Sequence, residues 1–259
     1  MIKGKYHLAT VRPRIDILGN TAWDANDILF DWHRFEIPRG ACAIKSFNMI
    51  VAGLDKVATA GIDIEIFFAK SVNGVAPTSL GNPDSATTLI AMTACRTHII
   101  GHKLLDASAM ENSDTFTIGY NVWDQTAVGD QVQNQMDIVL EGDPTYPGTT
   151  TGYQSIWIAG FTLGTPNHGT TVLLNQAGDQ AISTVPVALI TDGGDADDVF
   201  AVGDEIMAFA ADGSSPSKVG TVTAVAANLL TVNKVEEAFT DDDELCMRGP
   251  YQFNFGLEY

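Results

Sequence analysis

Apolar residues recur at every second position along much of this chain. In residues 62–68, Ile62, Ile64 and Ile66 share one parity while Asp63 and Glu65 take the other, the period of a strand with one buried face. Residues 31–37, 43–51, 115–120 and 136–141 alternate in the same way. Residues 6–18 predict a long strand that Pro13 interrupts, which favours a sheet edge. With residues 155–161 and 251–257 the set comes to about eight strands. Connections such as Asn73-Gly74 and Gly81-Asn82-Pro83 are built of turn formers. Residues 87–94 fit a strand or a short helix.

The strand at 155–161 and the terminal strand at 251–257 are separated by a stretch with its own strand set. Residues 171–174, 185–190, 205–209, 219–225, 229–233 and 244–247 all read as short strands. Ala226-Ala227-Asn228 reads as a tight hairpin, with Asn228 able to take a positive φ. So many short strands in so small a span fit a closed or nearly closed barrel, which hides its edges. The pattern predicts an all-β protein. A jelly-roll-like two-sheet β-sandwich body, residues 1–164 plus 250–259, carries a small SH3-like β-barrel, residues 165–249, inserted before the last strand.

Charge marks the same boundary. Residues 165–249 hold 14 Asp and Glu against Lys218, Lys234 and Arg248, which supplies −11 of the chain's −18. Such acidity argues against a nucleic-acid partner, since phosphate recognition depends on Lys and Arg. Lys3, Lys5, Arg12 and Arg14 all precede the first acidic residue, Asp16. This basic arm on an acidic body is expected to attach the protein to an acidic neighbour rather than to support folding. A solvated edge strand guarded by its charges is the alternative. No apolar run approaches the ~20 residues that span a bilayer, and the first residues carry no apolar stretch, so neither a membrane partner nor a secretory signal is expected. Cys42, Cys95 and Cys246 are odd in number and widely spaced, which favours buried free thiols over a disulfide framework.

Candidate chemistry is sparse. His98 and His102 stand four apart, but Ile99-Ile100-Gly101 between them opposes the helix that would bring both onto one metal. Asp192-Gly193-Gly194-Asp195-Ala196-Asp197-Asp198 resembles a calcium loop yet lacks the distal Glu and the flanking helices. Asp241-Asp242-Asp243-Glu244 reads as a solvated charge run. Neither a nucleophile elbow, a phosphate-binding loop nor a His-Glu-x-x-His motif is present. No catalytic residue, metal or cofactor is therefore assigned. Trp23, Trp32, Trp123 and Trp157 fit core packing better than a sugar site. Phe67 and Phe68 are adjacent, so they point to opposite faces of one strand, and are expected to need burial by the second sheet on one side and by a neighbour or the inserted unit on the other.

Val202-Gly203-Asp204-Glu205-Ile206, followed by residues 219–225, Leu229-Leu230-Thr231-Val232 and Asp243-Glu244-Leu245, resembles small β-barrel modules in virion proteins of tailed bacteriophages. That resemblance implies a non-enzymatic virion structural protein, assembled in the host cytoplasm, of the capsid decoration or cement kind. Its expected partners are its own copies, as a trimer, and the major capsid protein or other virion proteins. Lys3, Lys5, Arg12, Arg14, Phe67 and Phe68 are its expected interface residues. A receptor- or glycan-binding tail-fibre head and a carbohydrate-active β-sandwich enzyme are the rival functions.

Overall fold

The computed structural model describes residues 5–16, 23–51, 62–86, 89–107, 110–112, 117–119, 138–165, 171–175, 178–192 and 196–259. Along the body the elements are β1 (Tyr6–Val11), β2 (Ile28–Pro38), β3 (Cys42–Val51), β4 (Ile64–Lys70), α1 (Leu89–Cys95), β5 (Ile99–Leu105), β6 (Met110–Asn112), β7 (Thr117–Gly119), β8 (Val139–Leu140) and β9 (Tyr153–Thr162). The intervening unit contributes β10 (Val172–Leu173), β11 (Val187–Ile190), α2 (Ala196–Val199), β12 (Glu205–Phe209), β13 (Ser217–Ala226), β14 (Leu229–Val232) and β15 (Glu244–Met247). The chain then returns to the body as β16 (Tyr251–Glu258).

Two antiparallel sheets face each other in the body. One runs β1-β16-β3-β7-β6, with β8 also on β3, and the other runs β2-β9-β4-β5. Without the short β6 and β8, the first sheet takes the first, eighth, third and sixth strands in chain order. The second takes the second, seventh, fourth and fifth. This interleaving of two Greek keys is the jelly roll. The body is an all-β sandwich, and its inward residues alternate along each strand: β16 buries Tyr251, Phe253, Phe255 and Leu257 and turns Gln252, Asn254 and Glu258 outward.

Aromatic rings join the sheets. Phe255 lies 5.7 Å from Phe35 and 5.5 Å from Phe68, and Phe253 lies 5.6 Å from Phe30, ring centre to ring centre. Phe47, at 5.2 Å from Phe255, closes the cluster from the adjacent strand. Each such ring is worth about 3–5 kcal/mol against Ala in a packed core. Gly160 is the complement of this packing: a Cβ there would stand 2.5 Å from the Phe30 ring.

In the intervening unit the order is β10-β15-β12-β13-β14-β11. Its two ends meet, because Leu174 and Thr191 form a bridge and the Asp192 N–H donates to the Leu173 carbonyl at 2.8 Å. The result is a closed barrel around Leu174, Leu189, Ile206, Val219, Val222, Leu230, Val232 and Leu245. That core shares no residue with the core of the body. Gly220, at φ +137°, permits close passage of the Lys234 carbonyl, which a Cβ would strike. The β13–β14 hairpin turns through Ala227 and Asn228 without positive φ at either residue, so the left-handed turn expected at Asn228 is not the one used.

Several expectations change on contact with the structure. His98 lies in the turn before β5 and His102 within it, and of the two readings open for residues 87–94 the helix is the one found, over Leu89–Cys95. The strand expected over 6–18 stops at Val11 because Pro13 cannot donate to a ladder. Phe68 is fully buried between the sheets. Phe67, on the outer face, packs with Phe161 and His102 beside a cluster of Leu80 and Cys95 from the β4–β5 excursion. The chain itself thus buries Phe68 and half-buries Phe67. Lys3, Trp123, His168, half of residues 115–120 and the middle of the 192–198 loop lie outside the described residues.

Candidate functional site

The densest polar constellation joins the body to the barrel. Beyond Val11 the chain keeps its alternation although it leaves the sheet: Ile15 enters the body core, while Arg12, Arg14 and Asp16 turn to the other side. There they meet the start of β12 and the end of β15. The Ile15 N–H donates to the Arg248 carbonyl at 2.7 Å, which fixes the register of this crossing.

Three guanidinium groups and three carboxylates interlock. Arg12 donates through one terminal nitrogen to Asp204 Oδ1 at 2.8 Å and through Nε to the Gly249 carbonyl at 3.0 Å. Asp204 is prepared for this role by its own turn. Gly203 takes φ +100°, and Asp204 Oδ2 accepts the Ala201 N–H at 2.8 Å, leaving Oδ1 aimed at Arg12. Arg14 grips Glu205 with two nitrogens, at 3.0 and 3.1 Å. Arg248 returns the exchange from the barrel by holding Asp16 in a fork of 2.5 and 2.9 Å, with Glu205 3.6 Å away.

The pairs differ in worth. Arg14 and Glu205 are about half exposed, and such pairs contribute roughly 0–1 kcal/mol. The Asp204 side chain is only 6% exposed, so its hydrogen bonds to Arg12 and Ala201 replace lost solvent and are correspondingly stronger. His33 sits at the margin. Burial first, and then the Arg14 charge, lower its pKa from 6.5, while Glu205 opposes them.

The basic arm thus divides. Arg12 and Arg14 are engaged by the barrel of the same chain, whereas Lys5 is exposed at the start of β1. Asp204, Glu205, Asp16 and Arg248 were not singled out from sequence. The signal for two of them was present in Gly203-Asp204-Glu205, where a tight turn precedes a strand, but nothing along the chain linked that turn to Arg12 and Arg14.

Other candidates are placed apart. His98 contacts the Lys70 carbonyl through Nδ1 at 2.9 Å, while His102 pairs with Glu65 at 2.5 Å. The acidic run at 241–244 is organised by hydrogen bonding, with the Thr240 N–H and hydroxyl both donating to Asp243, at 2.9 and 2.7 Å. Among the described residues no three His, Cys, Asp or Glu side chains gather where a metal could bind, and no helix is long and apolar enough to cross a membrane. Trp23 and Trp157 are buried and Trp32 is half-buried. Cys42, Cys95 and Cys246 are all buried free thiols.

A second polar cluster fastens the loop before β9. Arg34 donates to Ser155, Glu36 and the Gly148 carbonyl, and lies 5.1 Å from the Tyr146 ring. Asp143 accepts the N–H and hydroxyl of Thr145 and the N–H of Gly74, which together draw its pKa down to about 2. These contacts hold one surface loop to another.

No protein-family profile matches this chain, and no curated protein is similar to it. Among solved structures, the crystal structure of Cucumber Necrosis Virus aligns over 98% of this chain and 96% of that one, at 10% identity and a TM-score of 0.14. An overlay of that quality carries no argument about either fold or function.

Proposed function

We propose that this protein is a non-enzymatic structural component of a virus particle, held on the shell as a decoration or cement subunit. The observation that carries the proposal is the architecture: a jelly roll whose last strand is laid down only after a self-contained acidic barrel. Jelly rolls serve capsids, lectins and small-molecule enzymes alike, so the choice rests on what this one leaves room for. Between its sheets the described interior is packed with phenylalanine rings. The tryptophans Trp23 and Trp157, which a sugar platform would expose, are buried. What remains outward is surface. The body offers broad sheet faces to the major capsid protein and to further copies of itself, and the barrel projects a strongly acidic module. Repetition by symmetry lets modest contacts hold such a subunit in place.

The test is add-back. Purified protein, mixed with particles made without it, should co-sediment with them and raise the temperature at which they release their contents. Protein that stays in the supernatant and leaves that temperature unchanged would overturn the proposal.

A further inference from the structure

The sheet edge formed by β1 is chemically open. Lys5 and Tyr259 exchange both backbone hydrogen bonds, at 3.2 and 3.0 Å, and from there β1 and β16 run in unbroken register from Tyr6↔Glu258 to Val11↔Phe253. In an antiparallel ladder, hydrogen-bonded and non-hydrogen-bonded pairs alternate. His7, Ala9 and Val11 therefore spend their N–H and C=O groups on β16, and Tyr6, Leu8 and Thr10 direct theirs away from it. Among the described residues no strand pairs with that side. Tyr6 and Leu8 are 73% and 66% exposed.

The two edges of the second sheet carry the usual defences. β2 has two register shifts, the charged Asp31, Arg34 and Glu36, and a closing Pro38. β5 has a register shift against β4 and carries His102 and Lys103. β1, with the sequence Tyr-His-Leu-Ala-Thr-Val, has no proline, no Asp, Glu, Lys or Arg, and no bulge. An undefended edge of this kind is a template for strand addition.

We propose that β1 pairs with β1 of a second copy, antiparallel about a two-fold axis through Leu8. Leu8 then faces Leu8 of the partner subunit, and Tyr6 faces Thr10 of the partner subunit. This register engages every open backbone group of the edge, forming about six hydrogen bonds. It also gathers both Leu8 side chains with both Tyr6 rings on one face. Charge permits the approach, because Arg12 and Arg14 are already held by Asp204 and Glu205, and Lys45 by Glu258 at 3.2 Å. The pairing names a partner for the oligomer but is independent of where the protein resides, since it stands or falls in purified material without particles.

Leu8→Cys tests it. A hydrogen-bonded antiparallel pair has its Cα atoms about 5.5 Å apart, within the span of a disulfide, and the three native thiols are buried. Mild oxidation should convert Leu8→Cys to a covalent dimer far faster than Val75→Cys, which is exposed elsewhere on the body. In parallel, light scattering of the wild type at micromolar concentration should give twice the 27.7 kDa of one chain. Leu8→Lys should halve that mass while still melting in one cooperative transition. A wild-type mass of one or three chains, a Leu8→Lys variant that keeps the dimer mass, or equal crosslinking of the two cysteine variants would each overturn the proposal.

Discussion

Arg12 shows how little of a residue's role is carried by its position in the sequence. It belongs to a cluster of positive charge near the start of the chain, yet it ends on a carboxylate 192 residues away. Arg12→Ser should cost about 1.5–3 kcal/mol, because Asp204 is buried and loses a charged donor; Lys5→Ser should cost nothing measurable in the same melting experiment. Asp143 gives a pH signature. Its folded-state pKa of about 2 lies below the ordinary 3.8, so the unfolded chain binds more protons between those values and stability falls as pH drops through that window. Asp143→Asn should flatten the acid limb of the stability–pH curve below about pH 4, as read by thermal unfolding. Gly220 is a third point: its φ of +137° and the adjacent Lys234 carbonyl leave no place for a side chain. Gly220→Ala should therefore lower the barrel's melting point steeply, by a strain in the range of 1–3 kcal/mol.

At the scale of elements, period-two alternation locates β2, β3, β4 and β16 to within a few residues, whereas β9, buried on both faces, reads as a strand from its apolar run. It failed for β5, where Ile99, Ile100, Gly101 and His102 do not alternate because both faces of that strand are partly covered. It also failed to show that β1 ends at Val11, since Arg12, Arg14 and Ile15 keep a strand-like parity without a ladder to join. The order of the sheets was legible only as a class. β16 occupies a central place between β1 and β3, so the body core lacks Phe253 and Phe255 until the barrel has been traversed. Pairing of β10 with β15 brings the barrel's two ends together, with Val172 opposite Leu245, and shortens the effective loop between β9 and β16. Replacing residues 165–249 by a short Gly/Ser linker should accordingly leave a folded body, checked by circular dichroism and a single cooperative melt. An aggregated product would mean that the two cores depend on each other.

On the scale of the whole molecule, the junction turns two separate cores into one object of defined shape. Its charges are matched across the boundary, with Arg12 and Arg14 reaching into the barrel and Arg248 reaching back to Asp16. Salt should loosen this joint at its exposed members first, since the Debye length shrinks to about 3 Å at 1 M, and small-angle scattering should then report a larger radius of gyration with both units still folded. The pairing of Arg12 and Arg14 with the barrel is not legible in the sequence, because charge clustering along a chain does not say which side of a strand meets which neighbour. Burial by the second sheet answers in the same way for Phe68. The oligomer proposed here draws on a backbone edge, which composition does not register at all. Quantitative mass spectrometry of purified particles tests the central claim most directly. A shell-bound decoration subunit should be present at copy numbers comparable to those of the major capsid protein, and a protein absent from purified particles, or confined to a dozen copies or fewer, would contradict it.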